Sequence, residues 1–476
     1  MSNPGYPSAW KPGKPPRSVV RHRRGPPLFN TLTATAYDLQ QMMIAGTLKS
    51  TDLVEEYVRN IEEHNGYLRA VSVYAPVALE RAQELDAKRE AGEFLGPLHG
   101  IPVFIKWAKP GDEDIHRSSG APEYKIHQKC AGCRQEEKVS HAVGLQLTAK
   151  DSPYIPGGFD PTDSIGGHTV PGGSSSGVSI VISAGLAANG VGTDTDASIT
   201  APAVRASLYL IRPTTGIVSV NGTVPCPKTF DTIGPMGRSV RDVADLLTAL
   251  VEPGKTKTPQ GGYASSATKN HGKSFRIGTL DPEVWNYPDF LVNPVPEATE
   301  RINRIILETY SKIREGLASV FHENADLPPV SEFMLNGKHS IYTSWLPGSP
   351  VKNLEELVKW NQEHAAEALP TEYPSQDVLI EALSAKLSPD QIETLREHYL
   401  AVGSNIDAAL QNNEIDITVA PGDCFLTQYA SAKGTMFFPT TSNSVRPIGL
   451  QVISSAHRED LLVAFMSAFE DSISKR

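Results

Sequence analysis

Cysteine is scarce: Cys130, Cys133, Cys226 and Cys424 are the only four in 476 residues, too few and too scattered for a disulfide framework. Long apolar runs are missing too. Each hydrophobic stretch is broken by Gly, Ser or charge before the roughly eighteen residues a membrane span needs, so no membrane partner is expected. Nor is there a basic surplus: 44 Lys and Arg stand against 54 Asp and Glu, a formal charge of −10, which removes the electrostatic footprint of a nucleic-acid binder. The first residues hold no apolar core of a secretion signal, and the chain is read as cytoplasmic. Acids are absent from residues 1–27, where Lys11, Lys14, Arg17, Arg21, Arg23 and Arg24 lie among prolines. Those prolines forbid the amphipathic helix of an organelle presequence, so the stretch reads as a disordered basic tail, with 28–476 as the folded unit. What remains is an ordinary globular composition, 39% hydrophobic and 21% charged, able to bury a large core without metal or disulfide.

From Thr35 the pattern is helical. Thr35 and Asp38 form a capping-box signature, Leu39, Met42 and Met43 recur at helical spacing, and Gly46 ends the run. Ser50 caps a second helix with a stripe of Leu53, Val54, Tyr57, Val58 and Ile61, closed by Asn65-Gly66. Pro76 opens a third helix, to about Ala91, and 101–105 reads as a buried strand that ends at Lys106. Further helices are expected over 180–186, after Ser239, over 296–318 and within 376–410, and strands over 188–191, 275–280 and 415–420. Strand and helix alternate, which predicts an α/β fold, and 252–274 reads as a surface loop.

The densest signal is 171–202, PGGSSSGVSIVISAGLAANGVGTDTDASITAP, where hydroxyls and glycines crowd around two short regular elements. A phosphate cradle would need the Lys-Ser/Thr ending of a P-loop or the spacing of a dinucleotide fingerprint, and neither is there. No nucleotide or other cofactor is expected. Tight turns and helix caps account for Ser174 and Asp194 taken singly. They do not account for the whole arrangement, because HGIPVFIK at 99–106, GGSSSG at 172–177, GTDTDASITAPA at 192–203, LIRPTTGIVS at 210–219 and DTIGPMGRSVRDVADLL at 231–247 follow one another in order.

This series resembles the amidase signature family of serine hydrolases. The likeness runs from about 30 to 470, with a signature core at about 98–250 and PIGLQVI at 447–453 similar to the family's closing strand. It implies a large, mixed, mostly parallel twisted sheet with helices on both faces. It also implies hydrolysis of a small-molecule amide through an acyl-enzyme, with Ser198 as nucleophile, Ser174 as a bridging serine after a cis peptide, and Lys106 as terminal proton acceptor. The backbone N–H groups of Thr195, Asp196, Ala197 and Ser198 would form the oxyanion hole, and Asp194 and Ser175 would support it. The chemistry agrees. A serine hydroxyl needs a base to attack an amide, and a lysine serves only while uncharged, as burial at the end of an apolar strand favours. Dimers are common in that family, which leaves a homodimer open.

Four departures stand out. Asp196-Ala197 replaces Gly-Gly before the nucleophile, adding a carboxylate beside the developing oxyanion and a residue that tolerates positive φ poorly. Thr200 replaces an arginine, so Asp194 lacks its expected partner unless Arg205 takes over. Trp107 stands for an aspartate, and Gly177-Val178 for a Gly-Gly-Ser-type continuation. Residues 108–150 do not match at all; His127, Cys130, Cys133 and His141 lie there at a spacing that fits no standard zinc site, so no metal is expected. Two readings remain: a working hydrolase, with an esterase or acyl-transfer tailoring enzyme of secondary metabolism as variants, and a degenerate homologue that binds without turnover. Intact Lys106, Ser174 and Ser198 favour the first.

Overall fold

The structure, a computed structural model, describes residues 27–106, 172–438 and 448–473, apart from gaps at 69, 72–74, 76, 222, 224–228, 268–273, 288–295, 337–352, 366–368 and 370–375. The basic tail up to 26, Trp107 and the His127–His141 group therefore lie outside the described residues.

Among the described residues nine strands form one sheet: β1 (Val103–Ile105), β2 (Asn189–Asp194), β3 (Tyr209–Arg212), β4 (Thr232–Gly237), β5 (Phe275–Thr279), β6 (Ala318–His322), β7 (Ile417–Pro421), β8 (Gly434–Phe438) and β9 (Leu450–Ser455). Their spatial order is β1-β2-β4-β3-β8-β9-β7-β5-β6. The helices are α1 (Ala36–Ile44), α2 (Ser50–Leu68), α3 (Ala78–Glu90), α4 (Ser176–Ser183), α5 (Thr200–Arg205), α6 (Val240–Leu250) and α7 (Pro296–Gly316). They continue as α8 (Leu354–Glu363), α9 (Asp377–Ser384), α10 (Pro389–Gly403), α11 (Asn405–Asn412), α12 (Leu426–Ala432) and α13 (Glu459–Ser472). None is long and apolar enough to cross a membrane.

The mixed α/β sheet is as expected, but it is not mostly parallel. β1–β2, β5–β6 and β5–β7 are parallel, while β2–β4, β3–β4, β3–β8, β8–β9 and β7–β9 are antiparallel. Parallel neighbours need a crossover, usually a helix; β3 runs on to β4, and β8 to β9, with no helix between them among the described residues, so each returns antiparallel.

In β3, β7 and β9 neighbouring side chains enter two different cores, which puts helices on both faces. Leu210, Ala420 and Ile453 join Val178 and Ile182 of α4, Tyr399 of α10, Ile406 of α11 and Tyr429 of α12. Their neighbours Tyr209, Ile211, Val419 and Val452 join Val243 and Leu247 of α6, Ile313 of α7 and Phe465 of α13. Carboxylates at their positive ends pin α1 to the sheet body and α2 to α3. Asp242 of α6 accepts from the N–H groups of Ala36 (2.8 Å) and Tyr37 (3.0 Å), and Asp86 of α3 from those of Ser50 (2.7 Å) and Thr51 (3.1 Å).

Thr35 and Ser239 cap α1 and α6 as the sequence predicts. Elsewhere the structure departs from expectation. The second helix passes Asn65-Gly66 and ends at Leu68, because Asn65 uses its side-chain amide to hold both backbone groups of Val71 (2.7 and 2.9 Å). The helix expected from 180 begins at Ser176, directly after the serine cluster. The loop 252–274 is not all surface: Tyr263 drops into the core beside α6 and α13.

Candidate active site

β1 and β2 run parallel, with Ile105 opposite Val191, and the Lys106 N–H donates to the Val191 carbonyl (3.0 Å). This register carries the Lys106 side chain past the end of its own strand toward Thr193. Lys106 Nζ donates to Ser174 Oγ (2.7 Å), Ser175 Oγ (3.1 Å) and, at longer range, the Thr193 carbonyl (3.4 Å). Ser175 Oγ in turn donates to that carbonyl (3.1 Å).

The serines reach the lysine because glycines remove what would stand between them. A Cβ on Gly192 of β2 would lie 2.8 Å from Ser175 Oγ, so a bare backbone is required there. Gly172, at φ +69°, packs on the α5 backbone, where a Cβ would come within 2.7 Å of the Ala201 carbonyl carbon. The Gly173–Ser174 peptide between them is cis. Gly190 likewise makes room for Val178, the β-branched residue that looked out of place, whose Cγ1 lies 2.7 Å from the missing Cβ position.

Ser198 lies on the turn from β2 into α5. Its carbonyl accepts from the Ser175 N–H (2.9 Å), which ties the two serine-bearing turns together. Its hydroxyl makes no hydrogen bond to a described residue, to Ser174 or any other. Thr195, Asp196, Ala197 and Ser198 are partly exposed between buried Asp194 and buried Ile199, and their four backbone N–H groups donate to no described acceptor. Ala197 adopts φ 67°, the left-handed conformation that a family glycine takes more readily.

The turn is held from beneath and from one side. Asp194 Oδ2 accepts from the Ile199 N–H (2.6 Å), and Thr195 Oγ1 donates to Asp231 Oδ1 (2.5 Å). Ser431 Oγ of α12 donates to the Thr195 carbonyl (2.7 Å). The partner of Asp194 is neither missing nor Arg205. It is Arg212 of β3, whose Nε donates to Asp194 Oδ1 (3.0 Å), both side chains being fully buried. Arg212 also donates to the carbonyls of Phe230 (2.7 Å) and Ala430 (3.0 Å), so a single guanidinium joins the turn to β3 and α12. Arg205, at the end of α5, reaches Asp423 instead (2.9 Å). The sequence carries a signal for Arg212, a lone charge directly after the apolar run 208–211, which a fold buries only beside a counter-charge.

Asp196 lies beside Thr427 and Gln428 of α12 and within the field of Arg212. Burial pushes its carboxyl up to about 6, while Thr427 and Gln428 alongside pull the other way. Asp196 Oδ1, Thr427 Oγ1 and Gln428 Oε1 are all buried without a hydrogen-bond partner. Among the described residues no group of three or more His, Cys, Asp or Glu is placed to hold a metal ion.

The amidase family model matches residues 52–107 and 159–463. The chain belongs to the amidase family. It is an amide-hydrolysing enzyme, and the gap in the match falls on the stretch whose sequence departs furthest from the amidase signature. A probable amidase of Arabidopsis thaliana is 28% identical over 419 residues, covering 83% of this chain and 80% of that one. Among solved structures, an amidase family protein of Bacillus anthracis superposes with a TM-score of 0.72 at 22% identity, covering 94% of this chain and 92% of that one. The native peptide amidase of Stenotrophomonas maltophilia does so with 0.69 at 24%, covering 93% and 98%. These two likenesses establish the amidase signature fold.

Proposed function

We propose that this amidase hydrolyses small-molecule amides through an acyl-enzyme on Ser198, with Ser174 and Lys106 moving the proton. The observation that carries the reading is the 2.7 Å contact between Lys106 Nζ and Ser174 Oγ, taken with the direction of the Ser175 hydroxyl. The Ser175 proton is committed to the Thr193 carbonyl, so Ser175 Oγ accepts from the lysine. An uncharged amine there spends its two N–H groups on Ser175 Oγ and the Thr193 carbonyl and turns its lone pair to the Ser174 hydroxyl.

Ser174 then gives its proton to Lys106 while accepting that of Ser198, whose oxygen attacks the substrate carbonyl carbon. The carbonyl π-bond opens to an oxyanion, received by the N–H groups of residues 195–198, which have no other described acceptor. The same chain returns the proton to the departing nitrogen as the C–N bond breaks, and water repeats the cycle on the ester to release the acid. Ser198 Oγ joins the relay when the bound substrate aligns it, as catalytic hydrogen bonds often tighten only in the complex.

The test is covalent labelling by a broad fluorophosphonate, read by intact mass and peptide mapping. One phosphonyl group per chain on Ser198, lost in both Ser198→Ala and Lys106→Ala, is the expected result. A folded protein that stays unlabelled would support the degenerate reading instead.

A further inference from the structure

A trans peptide points its N–H away from its own C=O, so whatever holds a carbonyl in the nucleophile turn also aims the N–H of the next residue. Two of these carbonyls are held by main chain close by. The Ser175 N–H donates to the Ser198 carbonyl (2.9 Å), and the following N–H, of Ile199, then meets Asp194 Oδ2 (2.6 Å). The Ala201 N–H of α5 donates to the Ala197 carbonyl (2.9 Å), which fixes the direction of the Ser198 N–H. The Thr195 carbonyl is held differently. Its donor is a side chain, Ser431 Oγ of α12 at 2.7 Å, 236 residues further along the chain.

Ser431 is well placed to hold that carbonyl firmly. It is 1% exposed, so its hydroxyl is not shared with solvent. The one hydroxyl proton meets two acceptors, the Thr195 carbonyl at 2.7 Å and the Thr427 carbonyl one turn back on the same helix at 2.9 Å, and the shorter contact runs to Thr195. α12 is itself anchored on both sides of the serine's own bond: Arg212 donates to the Ala430 carbonyl (3.0 Å), and the Tyr429 hydroxyl donates to the Pro328 carbonyl (2.6 Å). The other polar end of Thr195 is fixed as well, its Oγ1 donating to Asp231 Oδ1 (2.5 Å) just before β4. Thr195 is thus clamped between β4 and α12, and the 195–196 peptide follows it.

We propose that Ser431 is a positioning residue for amide hydrolysis: by drawing the Thr195 carbonyl toward α12 it turns the Asp196 N–H to the substrate oxygen. The inference rests on the reading of Ser198 as nucleophile and of residues 195–198 as the oxyanion hole. Without the hydroxyl the Thr195 carbonyl has no described donor, and the 195–196 peptide is free to rotate about the bonds that flank it. Rotation that brings the carbonyl oxygen into the arc puts an acceptor where a donor stood, and the developing oxyanion meets the negative end of a dipole. The cost falls on the transition state, in which charge has gathered on that oxygen, and not on binding of the neutral substrate.

Fluorophosphonate labelling tests this without knowledge of the natural substrate, since the phosphoryl oxygen gathers charge as Ser198 Oγ bonds to phosphorus and fluoride leaves. Ser431→Ala is expected to lower the limiting rate of labelling about ten- to a hundredfold while the half-saturating probe concentration changes by less than about twofold. Uptake should still reach one group per chain, and the pH dependence of the rate should not shift, because Lys106 and Ser174 are untouched. Ser454→Ala is the control. Ser454 of β9 is equally buried, at 1% exposure, and donates to the Asp416 carbonyl (2.9 Å), so the variant loses the same kind of bond away from the turn and is expected to label at the wild-type rate. A wild-type rate in Ser431→Ala, the same slowing in Ser454→Ala, a change in half-saturation alone, or uptake that stops well short of one group per chain would overturn the inference while leaving Ser198 as nucleophile. A wild-type protein that takes up no label on Ser198 would remove that reading and this one with it.

Discussion

Strands β2 and β4, on the catalytic side of the sheet, carry Gly190, Gly192, Gly234 and Gly237, whereas β7 and β9 on the other side carry Ile417, Val419, Leu450, Val452 and Ile453. Both regions are buried, yet they are built on opposite principles. On the catalytic side missing side chains let main chain and serine hydroxyls come close: Gly192 pairs with Gly234 across the ladder, and Ser175 occupies the space a Cβ would take. On the other side branched side chains fill the volume and supply the hydrophobic stabilisation. Damage to the first should therefore appear as lost rate, and damage to the second as lost stability.

The largest expected effect breaks the catalytic side alone. Ser198→Ala and Lys106→Ala should each lower turnover of an aryl amide more than about a thousandfold while the melting temperature stays nearly constant. A similar loss of stability in both would refute the division of labour. Next comes the ion pair beneath the turn. Arg212→Gln leaves Asp194 buried without its counter-charge and should cost about 3–5 kcal/mol in denaturant unfolding. Adding Thr200→Arg should recover part of that, since Thr200 Oγ1 is itself buried and unpartnered where the family places its arginine. No recovery would mean that the Arg212 network cannot be rebuilt from α5.

A matched pair of core substitutions sharpens the contrast. Gly192→Ala should displace Ser175 and reduce turnover by about ten- to a hundredfold, because small misplacements of reacting groups are costly. Ile417→Ala should instead cost about 2–5 kcal/mol of stability and leave the rate per folded molecule unchanged. A smaller effect concerns Asp196. Its carboxyl is raised from 3.8 to about 6 in the folded protein, so the ionised form opposes folding fully above about pH 6, and the penalty fades as the pH falls toward 3.8. Asp196→Asn should accordingly stabilise the protein by about 1–3 kcal/mol at pH 7.5 and by nothing measurable near pH 3.5. The smallest effect belongs to its neighbour: Ala197→Gly should raise stability by about 1 kcal/mol or less, relief of the left-handed Ala197 being offset by the greater freedom of glycine when unfolded.

Much of this was legible in the chain. Short-range chemistry is written locally, so the caps at Thr35 and Ser239, the strand leading to Lys106 and the serine turn before α4 could be read from consecutive residues. The order of the motifs also named the family and its three candidate catalytic residues. Strand direction was not legible, since nothing in 213–231 announces that β4 returns antiparallel beside both β3 and β2. The partner of Asp194 was equally hidden. Arg205 is nearer in sequence, but a buried charge is settled by which guanidinium the packed strands bring within 3.0 Å, and β3 brings Arg212. Helix α12 carries no motif of its own and lies more than 200 residues beyond Asp196, yet it brings Ser431, Thr427 and Gln428 to the turn that carries Ser198. The sequence by itself therefore determined the family, the candidate reacting groups and the local turns that present them, because those depend on neighbours along the chain. Only the tertiary structure decided which charges neutralise one another, because electrostatic pairing acts through space and depends on what folding brings together.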